Sequence, residues 1–434
     1  MEKRFTKDHI GIGILGLGVV GSGTVDLLMR NREEIEKKIG LPIRIYGIAV
    51  RNVNKPRAVK VDRALLTDDP RSVIDNPDVD ILCELIGGVE PARSYVMQAL
   101  EQGKQVVTAN KEMMAKAGNG IMKEAARRQL DLQFEGSVAG GIPIIQSMKN
   151  ALAGNRVTEV MGIINGTTNY ILTRMTEEGA SLEDVLREAQ ELGYAEADPT
   201  SDVDGFDAGY KIAILSAIAF TSKVSVDDVY VEGIRSISAS DISYAAELGY
   251  IIKLLGIGKR MPNNQIQVRV HPTLLPKHHP LASTHDVYNS VLVKGDSIGD
   301  VMFYGRGAGS GPTGSAVVGD ILDTCRNLRF GSTGRVACTC FETSTVQPIE
   351  DVETRHYIRM VVQDKPRVLS AISGIFGDND INIEAMIQKT IYGKQTDIVW
   401  LMHESPGKAI QAALSAIKNL DIVVEVSNWI RVEE

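Results

Sequence analysis

Cysteine is scarce in this chain: four residues in 434, at Cys83, Cys325, Cys338 and Cys340. Their spacing matches no metal motif and falls far short of a disulfide scaffold, so reduced thiols in a cytoplasmic protein are expected. No apolar run is long enough to span a bilayer. The opening MEKRFTKDHIGIGILG is charged, runs straight into a strand and lacks the apolar core of a signal segment. Basic charge is also short: the formal net charge is −8, which argues against a nucleic-acid or anionic-membrane partner. Aromatics amount to 5%, against 41 glycines, a composition suited to α/β layers of Ala, Val, Ile and Gly. What remains, 44% hydrophobic and 24% charged, is the balance of a globular protein. At ~100–200 residues per domain, the length predicts several domains rather than one core.

Residues 10–29, IGIGILGLGVVGSGTVDLLM, read as an apolar strand, a glycine turn and a helix. Gly16, Gly18 and Gly21 form G-x-G-x-x-G in that context. The first glycine permits the tight turn, the second lets a pyrophosphate approach the backbone, and the third lets helix pack on strand. A second strand, IRIYGIAV (43–50), should end in Asp or Glu if the ribose 2′-hydroxyl of NAD is read there. It ends instead in Arg51-Asn52, with Lys55 and Arg57 beyond. Arg51 can pair with a 2′-phosphate, so NADP(H) is favoured, with NAD(H) also admitted. Further strands are expected at 79–88, at 105–111 with Lys111 at its carboxyl end, and at 131–138. Strands alternating with helices mean a doubly wound parallel sheet, which binds ligands outside the carboxyl ends of its strands.

The alternation breaks at NGTTNYIL (165–172) and ELGYAEADPTSDVDGFDAGYK (191–211). The second stretch gathers Glu196, Asp198, Asp202, Asp204 and Asp207 ahead of an apolar helix carrying Lys211. A solvated acidic loop with a snorkelling lysine is one reading, since an exposed i,i+4 pair is worth only ~0.2–0.5 kcal/mol. A site for a cationic amino group, with Lys211 as a desolvated proton donor, is the other. EF-hand spacing is absent.

Taken in order, ELIGG, VVTANK, NGTTNYIL, ELGYAEADP followed by D-x-x-x-K, and GRGAGSGPTGSAVVGD (305–320) resemble the signature blocks of the homoserine dehydrogenase family. The resemblance implies NAD(P)H-dependent reduction of L-aspartate 4-semialdehyde to L-homoserine, in the route to threonine, isoleucine and methionine. It implies dinucleotide contacts at Leu17, Gly18 and Val20, with Arg51 near the 2′-phosphate, Lys111 beside cofactor and substrate, and Gly193 and Gly309 closing on the cofactor. Glu196 and Asp207 would bind the amino acid, with Thr167, Tyr194 and Asp202 as further substrate contacts. A sodium ion is implied at Glu135, Val138, Gly140 and Ile142, mostly through backbone carbonyls. Hydride addition to an aldehyde leaves an alkoxide that needs an acid within ~2.6–3.2 Å. Lys211 is expected to be that acid, charged by Asp207, with Lys111 holding developing negative charge. Two rivals stand beside this reading: an aspartate-semialdehyde dehydrogenase, which needs a nucleophilic cysteine, and a non-catalytic amino-acid sensor.

The tail from RHYIRMVVQDKPRVLSAISGIF onward reads βαββαβ, a ferredoxin-like module that resembles an ACT domain. Asp364, Pro366, Val368 and Leu369 fit the D-x-P-G-V-L turn of such modules, but Arg367 stands where glycine is usual. The expected organisation is a Rossmann-type dinucleotide domain at 1–140 completed by 305–330, an α+β catalytic and dimerisation domain at 141–304, a linker at 331–352 and an ACT domain at 353–434. A homodimer or homotetramer is expected, with threonine inhibition weak or absent. Truncation near residue 345 should then mainly reduce subunit association.

Overall fold

The structure, a computed structural model, describes residues 5–336, 340–390 and 393–434; Cys338 lies outside them. The chain forms two compact units: residues 1–160, 213–226 and 289–343 in the first, and 161–212, 227–288 and 344–434 in the second.

The first unit is built on six parallel strands: β1 (Ile10–Leu15), β2 (Ile43–Ala49), β3 (Leu66–Thr67), β4 (Ile81–Glu84), β5 (Gln105–Thr108) and β6 (Leu132–Gln133). Their order, β3-β2-β1-β4-β5-β6, is that of a Rossmann sheet, with the topological switch between β1 and β4. Every residue of β1 is buried, as a central parallel strand covered on both faces requires. The helices Val19–Arg30 and Ser310–Phe330 close over it, joining Ile12, Ile14, Val25, Val317 and Ile321 in one core. Small residues let these helices meet: a Cβ on Gly23 would lie 1.9 Å from the Ser310 carbonyl oxygen, and one on Gly314 would lie 2.7 Å from the Gly23 carbonyl carbon. The expected strand over 131–138 is cut to Leu132–Gln133, with a 3-10 turn at Glu135–Ser137. The cause is visible at Glu135, whose backbone N–H goes to Asp320 Oδ2 at 2.8 Å rather than to a neighbouring strand.

In the second unit, strands Tyr250–Arg260 and Ile266–Pro276 pair antiparallel along their whole length. Helices Gly166–Glu178, Leu182–Glu191 and Ala239–Glu247 and the first residues of Phe206–Ala219 belong to the same unit. The tail has the expected βαββαβ order: strands Glu353–Gln363, Ile383–Thr390, Gln395–Pro406 and Val423–Val432, with helices Val368–Asp378 and Gly407–Ile417. Ile372, Phe376, Trp400, Ile410 and Leu414 fill its core.

The tail module is not a detached appendage. Val423–Val432 pairs in parallel with Ile266–Pro276, matching Thr273 to Arg431 and Leu274 to Val432. Just beyond, the buried Glu433 bridges Arg269 and Lys259, both at 2.6 Å. Burial would raise its carboxyl pKa, but the two cations outweigh that and hold it below the usual carboxylate range. Asp241 is likewise gripped by Arg359 at 2.7 Å and Asn428 at 3.1 Å. Truncation near residue 345 would therefore also strip a paired strand and a buried carboxylate from the module's own chain.

Candidate functional site

The glycine turn is dictated by packing at two of its three positions. Gly16 has φ +100°, and a Cβ there would stand 2.6 Å from the Leu85 carbonyl oxygen; a Cβ on Gly21 would stand 2.2 Å from the Gly16 carbonyl oxygen. Gly18, which caps the helix Val19–Arg30, has open space on that side. That helix N-terminus presents partial positive charge to a cleft of about 680 Å³ at the carboxyl ends of β1, β2 and β4. Gly16, Leu17 and Gly18 line the cleft, with Arg51, Lys55 and Arg57 on its rim, and Asp68 also faces it. Arg57 donates to the carbonyls of Leu17 and Asn52, tying the rim to the turn. Val20 is half-buried in the first turn of the helix, and Arg51 is exposed.

At the end of β4, Glu84 is fully buried. It accepts from Thr108 Oγ1 at 2.6 Å and from the N–H groups of Ile86 at 2.9 Å and Gly87 at 3.3 Å. Burial pushes its pKa up against those bonds. Its carboxylate orders the left-handed Gly87–Gly88 turn beside the cleft. Lys111, half-buried, opens the helix Lys111–Arg128. Asn110 caps that helix, accepting from the Met113 N–H at 3.0 Å and donating to the Gly88 carbonyl at 2.6 Å.

The stretch from Glu135 to Ile142 is buried except Gly141. Ala139 (φ +54°) and Gly140 (φ +47°) are both left-handed, and a Cβ on Gly140 would meet the Gly307 carbonyl oxygen at 2.4 Å. Glu135 directs its two carboxylate oxygens to the N–H groups of Ile145, at 2.8 Å, and Gln146, at 2.6 Å. Burial outweighs those bonds and pushes its pKa up to about 7. Asp320 beside it is raised well above the carboxylate range by burial and by the Glu135 charge. Among the described residues no group of three or more His, Cys, Asp or Glu side chains is arranged to hold a metal ion. Gly309 (φ +117°) caps the helix Ser310–Phe330.

In the second unit, the acids named from the sequence divide. Lys211 and Asp207 are 8% and 2% exposed. Lys211 Nζ donates to Asp207 Oδ2 at 2.6 Å and to the Ile164 carbonyl at 2.7 Å. Asn165, not singled out from the sequence, joins the cluster through one amide nitrogen, which donates to Asp207 Oδ2 at 2.9 Å and Asp202 Oδ1 at 2.7 Å. Its oxygen caps the helix Gly166–Glu178 by accepting from the Thr168 N–H. Its N-cap position is a sequence signal; its long-range partners are not. Thr167 donates to the Tyr194 carbonyl at 2.9 Å, and the Tyr194 ring packs edge-on against Tyr170. Gly193 (φ +75°), Tyr194 and Glu196 lie on an exposed turn. Glu196 engages only its backbone carbonyl, with Gln190, and its carboxylate accepts no hydrogen bond among the described residues. Asp198 and Asp204 stand apart from the cluster, on the Thr200 N–H and on Arg235.

Two of the three described thiols are deactivated by burial. Cys83 and Cys325 are buried; burial raises the Cys83 thiol further than that of Cys325, which reaches about 12. Thiolate chemistry is therefore suppressed at both. No helix among the described residues is long and apolar enough to cross a membrane.

Comparison with known proteins agrees with this arrangement. Residues 16–135 match the family described as homoserine dehydrogenase, NAD binding domain; residues 143–322 match homoserine dehydrogenase; residues 356–421 match the ACT domain. A homoserine dehydrogenase from Synechocystis is 45% identical, covering 98% of this chain and 99% of its own. The crystal structure of a homoserine dehydrogenase from Thiobacillus denitrificans superposes with a TM-score of 0.93 at 46% identity, over 98% of each chain. A hyperthermophilic archaeal homoserine dehydrogenase in complex with NADPH gives 0.61 at 25% identity, over 73% of this chain and 97% of its own. With a dinucleotide cleft, a buried acid–lysine cluster and likeness along its whole length, the chain belongs to the homoserine dehydrogenase family of NAD(P)-dependent oxidoreductases.

Proposed function

We propose that Lys211 is the proton donor of the reaction, and the observation that carries this reading is its buried pair with Asp207. A lysine without a partner at 8% exposure would give up its charge. Here two short bonds, to Asp207 and the Ile164 carbonyl, favour the ammonium and hold it in one orientation. A bound nicotinamide dinucleotide supplies the hydride. As the aldehyde carbon gains that hydride, its oxygen takes the carbonyl π electrons, and Lys211 passes a proton to this alkoxide. The neutral amine then regains a proton from solvent beside the Asp207 carboxylate. In homoserine oxidation the same amine takes the hydroxyl proton. Lys111, at a helix N-terminus, stabilises the developing oxyanion.

The substrate's ammonium group is assigned to Asp202, Asp207 and Glu196, with Thr167 and Tyr194 as further contacts. Glu196 would turn inward when the amino acid binds. Gly16, Leu17, Gly18, Val20 and Gly21 would hold the dinucleotide, with Gly193 and Gly309 closing on it. Arg51 would read a 2′-phosphate, making NADP(H) the preferred cofactor. A sodium ion fits the loop from Glu135 to Ile142: Val138 and Gly140 are buried, and their carbonyls accept no hydrogen bond among the described residues. We also infer a cytoplasmic homodimer or homotetramer serving threonine, methionine and isoleucine synthesis, with threonine inhibition weak because Arg367 occupies the ACT turn.

Lys211→Ala tests the central assignment. The expected kcat falls ~10²–10⁴-fold, with the dinucleotide dissociation constant unchanged. Near-normal turnover with collapsed cofactor binding would make the lysine structural.

A further inference from the structure

A second buried lysine lies outside the assigned chemistry. Lys253, in strand Tyr250–Arg260, is fully buried. Its Nζ donates to Asn169 Oδ1 at 3.0 Å and to the Thr284 carbonyl at 2.6 Å. Asn169 is a hub on the helix Gly166–Glu178: its Nδ2 donates to the carbonyls of Thr284 at 3.3 Å, Asp286 at 2.8 Å and Tyr288 at 3.2 Å. One turn on, Thr173 Oγ1 accepts from the Asp286 N–H at 3.1 Å. A buried charge is a poor way to obtain packing stability, because an apolar residue of similar volume often does as well or better. Its geometry points to a different use. Asn169 lies one helical turn after Asn165 and donates its N–H to the Asn165 carbonyl at 3.3 Å. Asn165 holds Asp202 and Asp207, and the preceding residue, Ile164, supplies the carbonyl that Lys211 grips.

We propose that Lys253 is a positioning residue for the Lys211–Asp207 acid: it clamps Asn169, and with it the helix turn from which Asn165 and Ile164 orient both partners. The inference rests on the reading of Lys211 as proton donor. Burial lowers the Lys253 pKa to about 8, opposed by Glu177 on the same helix and Asp286 on the loop. His285 lies beside Glu177 at 3.6 Å. The ammonium makes the stronger donor, so the clamp is fully formed below this value and weakens as pH rises through it.

The test is a mutant cycle on the full chain at pH 7, measuring homoserine-dependent reduction of NADP. Lys253→Met should lower kcat at least tenfold while the dinucleotide dissociation constant stays within twofold. Made in an Asn165→Ala background, it should cost less further kcat than in the parent, because the Asn165 branch of the relay is already cut and only the Ile164 carbonyl remains. Losses that multiply in the double variant, or a single-variant kcat within twofold of the parent, overturn the proposal. If Lys253→Met does not fold, Asn169→Ala, which removes the helix end of the clamp, carries the same cycle and the same criteria. Wild-type turnover in Lys211→Ala would instead overturn the underlying reading, so the two failures are distinguishable.

Discussion

The glycine turn of the first unit and the acid cluster of the second are both small, but they are built on opposite principles. Gly16 and Gly21 answer to backbone neighbours, one of them the other's carbonyl. The cluster at Lys211 is assembled over distance: Asn165 reaches partners 37 and 42 residues away, and the Ile164 carbonyl meets a lysine 47 residues on. A motif made of local sterics imposes residue types at fixed spacing, and spacing is visible in a chain. A site made of convergent side chains imposes only their presence. The prediction that most sharply separates the two cases lies in the second unit. Glu433→Ala leaves buried Arg269 and partly buried Lys259 without this carboxylate, more than 160 residues away in sequence. Breaking such a buried pair costs ~3–5 kcal/mol. Denaturant unfolding of the full chain should therefore show a large loss, well beyond that of a surface substitution. A change within experimental scatter would mean the tail strand is not part of the second unit's framework.

The same contrast explains what could be read in advance. The six-stranded sheet and the βαββαβ tail follow from apolar runs and turns, and both are present. The i,i+4 spacing marks Asp207 and Lys211 as a pair on one helix face, while their place in the site is what the family resemblance implies. Asn165 is not so marked, since a helix-capping Asn has an ordinary local duty that hides its long-range one. Lys253 sits inside a strand whose residues 252–258 are all buried, with nothing nearby in sequence to mark it. Glu135 shows the converse: DLQFEGSV reads as a strand, yet bonds to Asp320 and to the N–H groups at 145 and 146 pull the chain out of the sheet. Glu196 shares the acidic stretch in sequence and is implied in the site by the family resemblance, while its side chain lies exposed on the turn.

Within the glycine turn, Gly21→Ala tests the local side of the comparison. A methyl group 2.2 Å from the Gly16 carbonyl oxygen forces helix and strand apart. Overpacking of this kind costs ~1–3 kcal/mol. Dinucleotide binding should weaken, while kcat at saturating cofactor stays close to the parent, since the Lys211 cluster is untouched. Unchanged affinity would show that the turn tolerates the shift. Arg51→Asp is the smaller local change. It should lower the NADPH-to-NADH ratio of kcat/KM about tenfold, or ~1.4 kcal/mol, by placing a carboxylate where the 2′-phosphate would lie. An unaltered ratio would move phosphate recognition to another group, with Lys55 and Arg57 on the same rim.

The smallest effect is expected where a local rule is broken. Arg367, the N-cap of the helix Val368–Asp378, holds φ +72° and ψ 1°, a left-handed conformation. A side chain with a Cβ pays a steric penalty there that glycine does not. Arg367→Gly removes the penalty but lengthens the list of unfolded conformations, an opposing term of ~0.4–1 kcal/mol. The net change should be a gain of no more than ~1 kcal/mol, read as a small upward shift in the unfolding midpoint. The functional consequence is separate. Arg367 is exposed and lines a hollow of about 440 Å³ with Asp364, Leu369 and Gln388, where an effector could lie against the turn. Threonine should inhibit the parent chain weakly and Arg367→Gly more strongly, because the variant regains the room that the turn usually leaves. Strong inhibition of the parent that disappears in the variant would reverse the assignment and make the guanidinium the group that binds the effector's carboxylate.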